Sequence, residues 1–165
     1  LQSGSQAERD AEYIGNDAHY HFLLNELLPF LQTSYRIDSA HIGVGGVDVG
    51  AAAAIHTALR NPAVFSSLMM ISSPLGKGAH SEQLRQYSGN FIGAEVLPRR
   101  IFQSVGRYEA PGRFVRPALA LRDILRAKPG VYYRFVELGS GHGLAGFRSI
   151  LPEALAWTFP GAAFS

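Results

Sequence analysis

The sequence predicts an α/β fold, a three-layer α/β/α sandwich around a mostly parallel sheet. Two observations carry this. Four short apolar or β-branched runs alternate with helical patterns along the chain, and regular alternation with helical crossovers gives a parallel sheet covered on both faces. A glycine cluster, Gly45-Gly46-Val47-Asp48-Val49-Gly50, joins the first strand to an alanine-rich helix, as a tight strand-to-helix turn requires. Composition agrees with a packed domain: 165 residues, 47% hydrophobic and 17% charged, outside the range of disordered chains.

Taken in order, residues 1–16 are polar and small and read as a loop or ragged end, separate from one domain over 17–165. Residues 17–35 place Phe22, Leu23, Leu27, Leu28, Phe30 and Leu31 at helical spacing, with Pro29 as a kink or a shifted start. His41–Val44 is a strand running into the glycines. Residues 49–60 form a helix stopped by Asn61-Pro62. Phe65–Ile71 is a buried strand, and a short helix near 81–87 lies among the loops of 72–98. Ile101–Val105 is a strand, 113–128 a helix ended by Pro129-Gly130, Val131–Leu138 a strand, and 144–159 the last helix.

In parallel sheets of this kind chemistry collects at the C-terminal ends of the strands. The residues that follow Val44, Ile71, Val105 and Leu138 are therefore the ones to read. After the first strand, Asp48 stands in the centre of a turn with glycines two before and two after it, the pattern of a nucleophile elbow. The following amide, on Val49, would form half of an oxyanion hole at a helix N-terminus. The competing account is a plain glycine-rich turn with Asp48 capping the helix. After the third strand comes Glu109, on the loop Gly106-Arg107-Tyr108-Glu109. After the fourth comes His142, in Gly139-Ser140-Gly141-His142. The chain order of nucleophile position, acid and histidine is that of the Ser-acid-His hydrolases. The other histidines (His19, His21, His41, His56 and His80) have no comparable placement, and His19 and His21 read as surface residues.

The stretch Arg9-x-x-Glu12, Asn16, Phe22 and Asn25-Glu26-Leu27-Leu28-Pro29 resembles the segment before the elbow in enterochelin esterases and esterase D-like proteins. So do Ala58-Leu59-Arg60-Asn61-Pro62, Ile71-Ser72-Ser73-Pro74, Val105-Gly106-x-x-Glu109, and Gly141-His142 followed by Phe147 and Leu151-Pro152-Glu153-Ala154-Leu155-Ala156-Trp157. The resemblance runs from about residue 9 to residue 159. It implies an α/β-hydrolase fold and ester hydrolysis by a Ser-His-acid triad, here Asp48, Glu109 and His142, with Asp48 where the family has serine. Gly143 stands where the family often has aspartate. The family's N-terminal strands, including the loop supplying the second oxyanion donor, have no counterpart, so a companion segment or chain is expected to complete the fold.

Three functions stay open at this level. One is a non-catalytic or catalytically impaired relative, in which Asp48 pairs with His142 and takes the oxyanion donors itself. A second is a hydrolase using Asp48 as nucleophile, as dehalogenases and epoxide hydrolases of this fold do, although they carry tryptophan where Val49 stands. A third is a residual carboxylic-ester hydrolase. In the active cases the partner is a small-molecule ester or a related substrate. A net charge of +2 without a run of Lys/Arg predicts no nucleic-acid or membrane partner. No cofactor or metal is expected: the chain has no cysteine, and the glycine turn lacks the Lys-Ser/Thr of a phosphate-binding loop. Substrate, compartment and oligomeric state are not written in the sequence.

Overall fold

The computed structural model describes residues 4–161. Four parallel strands, β1 (Ile42–Val47), β2 (Phe65–Ile71), β3 (Arg100–Gly106) and β4 (Tyr132–Leu138), lie side by side in chain order. The crossover helices are α4 (Val49–Arg60), α5 (Ser81–Gly93) and α6 (Arg116–Arg126). All three pack on the same face, as a single crossover handedness demands when strands are added in one direction. The chain then turns back, and α7 (Leu144–Thr158) covers the opposite face.

Strand alternation sorts the core into these two layers. On one side Leu68, Met70 and Ile101 meet Ile55, Ala58 and Leu84 and, from α6, Leu121 and Leu125. On the other, Ile71 and Phe102 meet Ile150 and Ala154 of α7. Trp157 packs at the margin of that second cluster, with the Arg100 guanidinium 4.4 Å from its ring. The alanines of α4 are buried because this helix lies close against β1 and β2.

The N-terminal region differs from the loop expected for residues 1–16. Gln6–Tyr13 is a helix (α1) started by a capping box between Ser5 and Glu8, and its Tyr13 is buried in the core. A polar surface hid a short helix whose start signal, Ser-x-x-Glu, is present in the sequence. The expected 17–35 helix is three pieces: α2 (Asp17–Phe22), a π-helical turn over Leu23–Leu27, and α3 (Leu28–Ser34) with Pro29 in its first turn. Pro29 lies just beyond the π-helical turn, within a helical run that continues from Asp17 to Ser34. Likewise a π-helical turn at Pro111–Val115 precedes α6, which is shorter than the predicted 113–128 helix. Helix α5 extends six residues beyond the expected end at 87, and β1 runs through the glycines to Val47.

Among the described residues β1 pairs on one side alone, with β2. Its other edge faces a groove whose far wall is built from α1, α2 and the first π-helical turn.

Candidate active site

At the C-terminal edge of the sheet three loops converge. Asp48 connects β1 to α4 with φ 53° and ψ −128°, a conformation that L-residues rarely adopt. The backbone holds it there from both sides: its N–H donates to the Ile71 carbonyl at 3.0 Å, and its carbonyl accepts from the Ala51 N–H at 2.9 Å. A Cβ on Gly46 would overlap the Gly50 carbonyl, which explains why strand and helix meet at a glycine there. Gly50 itself has nothing within 4 Å of such a Cβ, so the second flanking glycine is not demanded by crowding as the turn pattern implied.

Glu109 lies in the turn after β3, where its own N–H donates to the Gly106 carbonyl. It is 3% exposed, and three donors converge on its carboxylate. The Ser72 hydroxyl reaches Oε1 at 2.6 Å and the Gly106 amide reaches the same oxygen at 2.7 Å. His142 Nδ1 lies 3.0 Å from Oε2. A carboxylate accepts and does not donate, so this contact places a proton on Nδ1 and turns Nε2 away from Glu109. The loops after β3 and β4 are tied by Arg107 N–H to the Leu138 carbonyl and Tyr108 N–H to the Ser140 carbonyl. Phe114 stacks on the His142 ring at 4.4 Å between centroids, and Phe147 meets it edge-on at 5.0 Å.

His142 Nε2 faces Asp48 Oδ2 across 3.9 Å, an ion-pair distance rather than a hydrogen bond. Asp48 makes no capping hydrogen bond to α4, and its Oδ1 is buried without a partner. Neither helix capping nor occupation of the oxyanion donors by Asp48 itself, two of the readings the sequence left open, occurs here. Burial pushes the Asp48 carboxyl above its ordinary range, against the pull of His142, Arg113 and Arg9. The Asp48 side chain nevertheless remains 30% exposed, and it lines the open groove beside β1. Val49 is buried as the first residue of α4, where an amide has no partner within its own helix.

All of the sequence-predicted site residues therefore meet at one place: Asp48, Val49, Glu109 and His142. Several further contributors were not foreseen. Ser72, the first residue beyond β2, stands at one of the four positions singled out in advance but had no role assigned, and Phe114 comes from the π-helical turn at Pro111–Val115. Arg9, Tyr13 and His19 line the groove from residues expected to be loop or surface, and burial lowers the His19 imidazole below its usual value. Among the described residues no group of three or more His, Asp or Glu side chains is arranged to hold a metal ion. Among the described residues no helix is long and apolar enough to cross a membrane.

The family model described as "Putative esterase" matches residues 2–158. The chain belongs to this esterase family. A search of curated proteins finds no match. Among solved structures, the BES protein from Bacillus cereus superposes with a TM-score of 0.78 at 19% identity, covering 96% of this chain and 66% of that one. Enterochelin esterase from Shigella flexneri gives 0.78 at 21% identity, over 98% of this chain and 41% of the other. The S-formylglutathione hydrolase from Agrobacterium tumefaciens gives 0.65 at 15% identity, over 84% and 56%. At these identities the likeness is one of fold, an α/β-hydrolase-like arrangement shared with esterases. This chain spans between two fifths and two thirds of the length of these three relatives.

Proposed function

We propose that the site is an esterase-type centre in which the acid–histidine pair is retained and the nucleophile position is held by Asp48. As a carboxylic-ester hydrolase the protein is then impaired or inactive, a relative of enterochelin esterase and esterase D that has lost its serine. One observation carries this reading. Asp48 occupies a strained strand-to-helix turn, and the histidine nitrogen not engaged by Glu109 faces its carboxylate at 3.9 Å. A serine in that turn would be served by His142 as base, with Glu109 holding the imidazole. A carboxylate needs no base for attack, but it is a poor nucleophile toward an ester carbonyl.

The open groove favours a second reading, in which Asp48 is itself the nucleophile. Its Oδ2 would attack an alkyl carbon and expel the leaving group, forming an aspartyl ester. His142 Nε2 would then take a proton from water, whose oxygen attacks the ester carbonyl, releasing the alcohol and restoring the carboxylate. The Nε2 atom left unengaged by Glu109 and the position of Asp48 on the groove beside β1 support this chemistry, while Val49 stands where such enzymes carry a halide-holding tryptophan.

In both readings the fold is completed by a further segment, on the same polypeptide or a companion chain, that pairs with the free edge of β1. The one-sided pairing of β1 and the greater length of the relatives support this. The test is hydrolysis of a panel of p-nitrophenyl esters by the protein with its natural flanking segments. The expected result is an inert native protein and activity in Asp48→Ser that His142→Ala abolishes. Activity in the native protein that Asp48→Ser destroys would establish the aspartate-nucleophile reading instead.

A further inference from the structure

Ser72 is the first residue beyond β2, and its backbone has φ 53°, in the region that favours glycine. Its N–H donates to the Ser104 carbonyl at 2.9 Å, its side chain is buried, and its hydroxyl donates to Glu109 Oε1 at 2.6 Å. Two neighbouring serines provide an internal comparison. Ser73 and Ser104 are equally buried, yet their hydroxyls have no hydrogen-bond partner. Burial at this strand edge therefore does not by itself bring a hydroxyl onto the carboxylate. The left-handed turn at Ser72 does.

We infer that Ser72 is a positioning residue for the Glu109–His142 pair. This rests on the reading of that pair as the acid–histidine couple of an esterase-type site. Glutamate reaches its partner through three torsions, and the last of these is broad, so the two carboxylate oxygens exchange readily unless they are distinguished. Here they are distinguished. Oε1 takes two donors, Ser72 Oγ and the Gly106 amide, and Oε2 is left to His142 Nδ1. The Gly106 contact is local to the Glu109 turn, whereas Ser72 comes from another strand, 37 residues away. Ser72 thus references the acid to the end of β2, next to the Ile71 carbonyl that fixes the Asp48 turn. The strained serine registers acid, histidine and elbow position against one strand end.

The experiment reads the imidazole proton directly and needs no turnover. In 15N-labelled native protein the Nδ1 proton shared with Glu109 gives a downfield resonance that is absent in His142→Gln and moves in Glu109→Gln. Ser72→Ala and Ser72→Gly both remove the hydroxyl, and glycine also accepts the left-handed backbone without strain. In both, exchange of this proton with water is expected to accelerate about tenfold or more, the loss associated with one hydrogen bond to a charged group. Ser73→Ala is expected to leave it unchanged. Native-like amide spectra in Ser72→Gly separate loss of the hydroxyl from loss of the fold. Exchange at the native rate in both Ser72 variants would overturn the inference while leaving the acid–histidine couple intact. A native protein without a resonance that responds to Glu109→Gln would instead remove the couple itself, and the role of Ser72 with it.

Discussion

Replacing Gly46 by alanine tests the closeness of strand and helix on which the placement of Asp48 depends. An added Cβ would overlap the Gly50 carbonyl and stand 2.6 Å from the Ala51 nitrogen, about 0.8 Å short of the 3.4 Å at which ordinary contact begins. Both obstacles are backbone atoms, so no side chain can rotate away and β1 and α4 must separate. Overpacking of a well-fitted core costs about 1–3 kcal/mol, and a backbone clash belongs at the upper end. For a domain of this size, about 3 kcal/mol lowers the melting temperature by roughly 6–12 °C. Gly50→Ala is the matched control. It lies four residues on, in the first turn of α4, with nothing within 4 Å of its added Cβ. Alanine there gains about 0.5–1 kcal/mol of helix preference. Thermal unfolding followed by circular dichroism should move the two variants in opposite directions. A Gly46→Ala protein that melts at or above Gly50→Ala would refute the close-approach argument.

Two further perturbations follow from buried polar groups. Because burial raises the Asp48 carboxyl, its contribution to stability is fully present below the ordinary aspartate range near 3.9 and is lost as pH rises through the raised folded value. Asp48→Asn should therefore melt higher than native protein at neutral pH, by a margin that shrinks toward about pH 4; a margin independent of pH would contradict the cause assigned. Tyr133 donates its hydroxyl to Gln103 Oε1 at 2.6 Å, while the Gln103 amide is spent on the Ala118 carbonyl. Tyr133→Phe leaves a buried acceptor unpaired and should lower the unfolding free energy in urea by about 1–3 kcal/mol, and an unchanged midpoint would count against it.

Much of this architecture is legible in the residues because the periodicities are strong. The apolar stretches of β2 and β3 and the β-branched and aromatic run of β4 announce strands, and the alanines of α4 announce a helix pressed against the sheet. Asp48, Glu109 and His142 could be found because each follows a strand end, a position defined by topology rather than by composition. What stayed hidden depends on geometry that no period encodes. Helix α1 has too little apolar surface to show itself except through its capping box, although its Tyr13 is buried. The π-helical turns at Leu23–Leu27 and Pro111–Val115 disguise where α3 and α6 begin, and so conceal that Phe114 lies against His142. Ser72 follows a strand end and belongs to the Ile71-Ser72-Ser73-Pro74 motif, but its role is hidden, because a left-handed serine has no sequence signature. The lack of crowding at Gly50 shows the reverse error, a motif position whose demand for a small residue this turn does not make.

The proposed function requires that the turn holding Asp48 keep the geometry of an activated nucleophile. The measurement that tests it most directly is intact-mass analysis after exposure to a fluorophosphonate, which bonds to a serine only where that serine is activated. It would compare native protein, Asp48→Ser, and Asp48→Ser combined with His142→Ala, each with its natural flanking segments. One phosphonyl adduct is expected on residue 48 of Asp48→Ser, and none on the native protein or on the double variant. An unlabelled Asp48→Ser, or labelling that survives the loss of His142, would contradict the proposal.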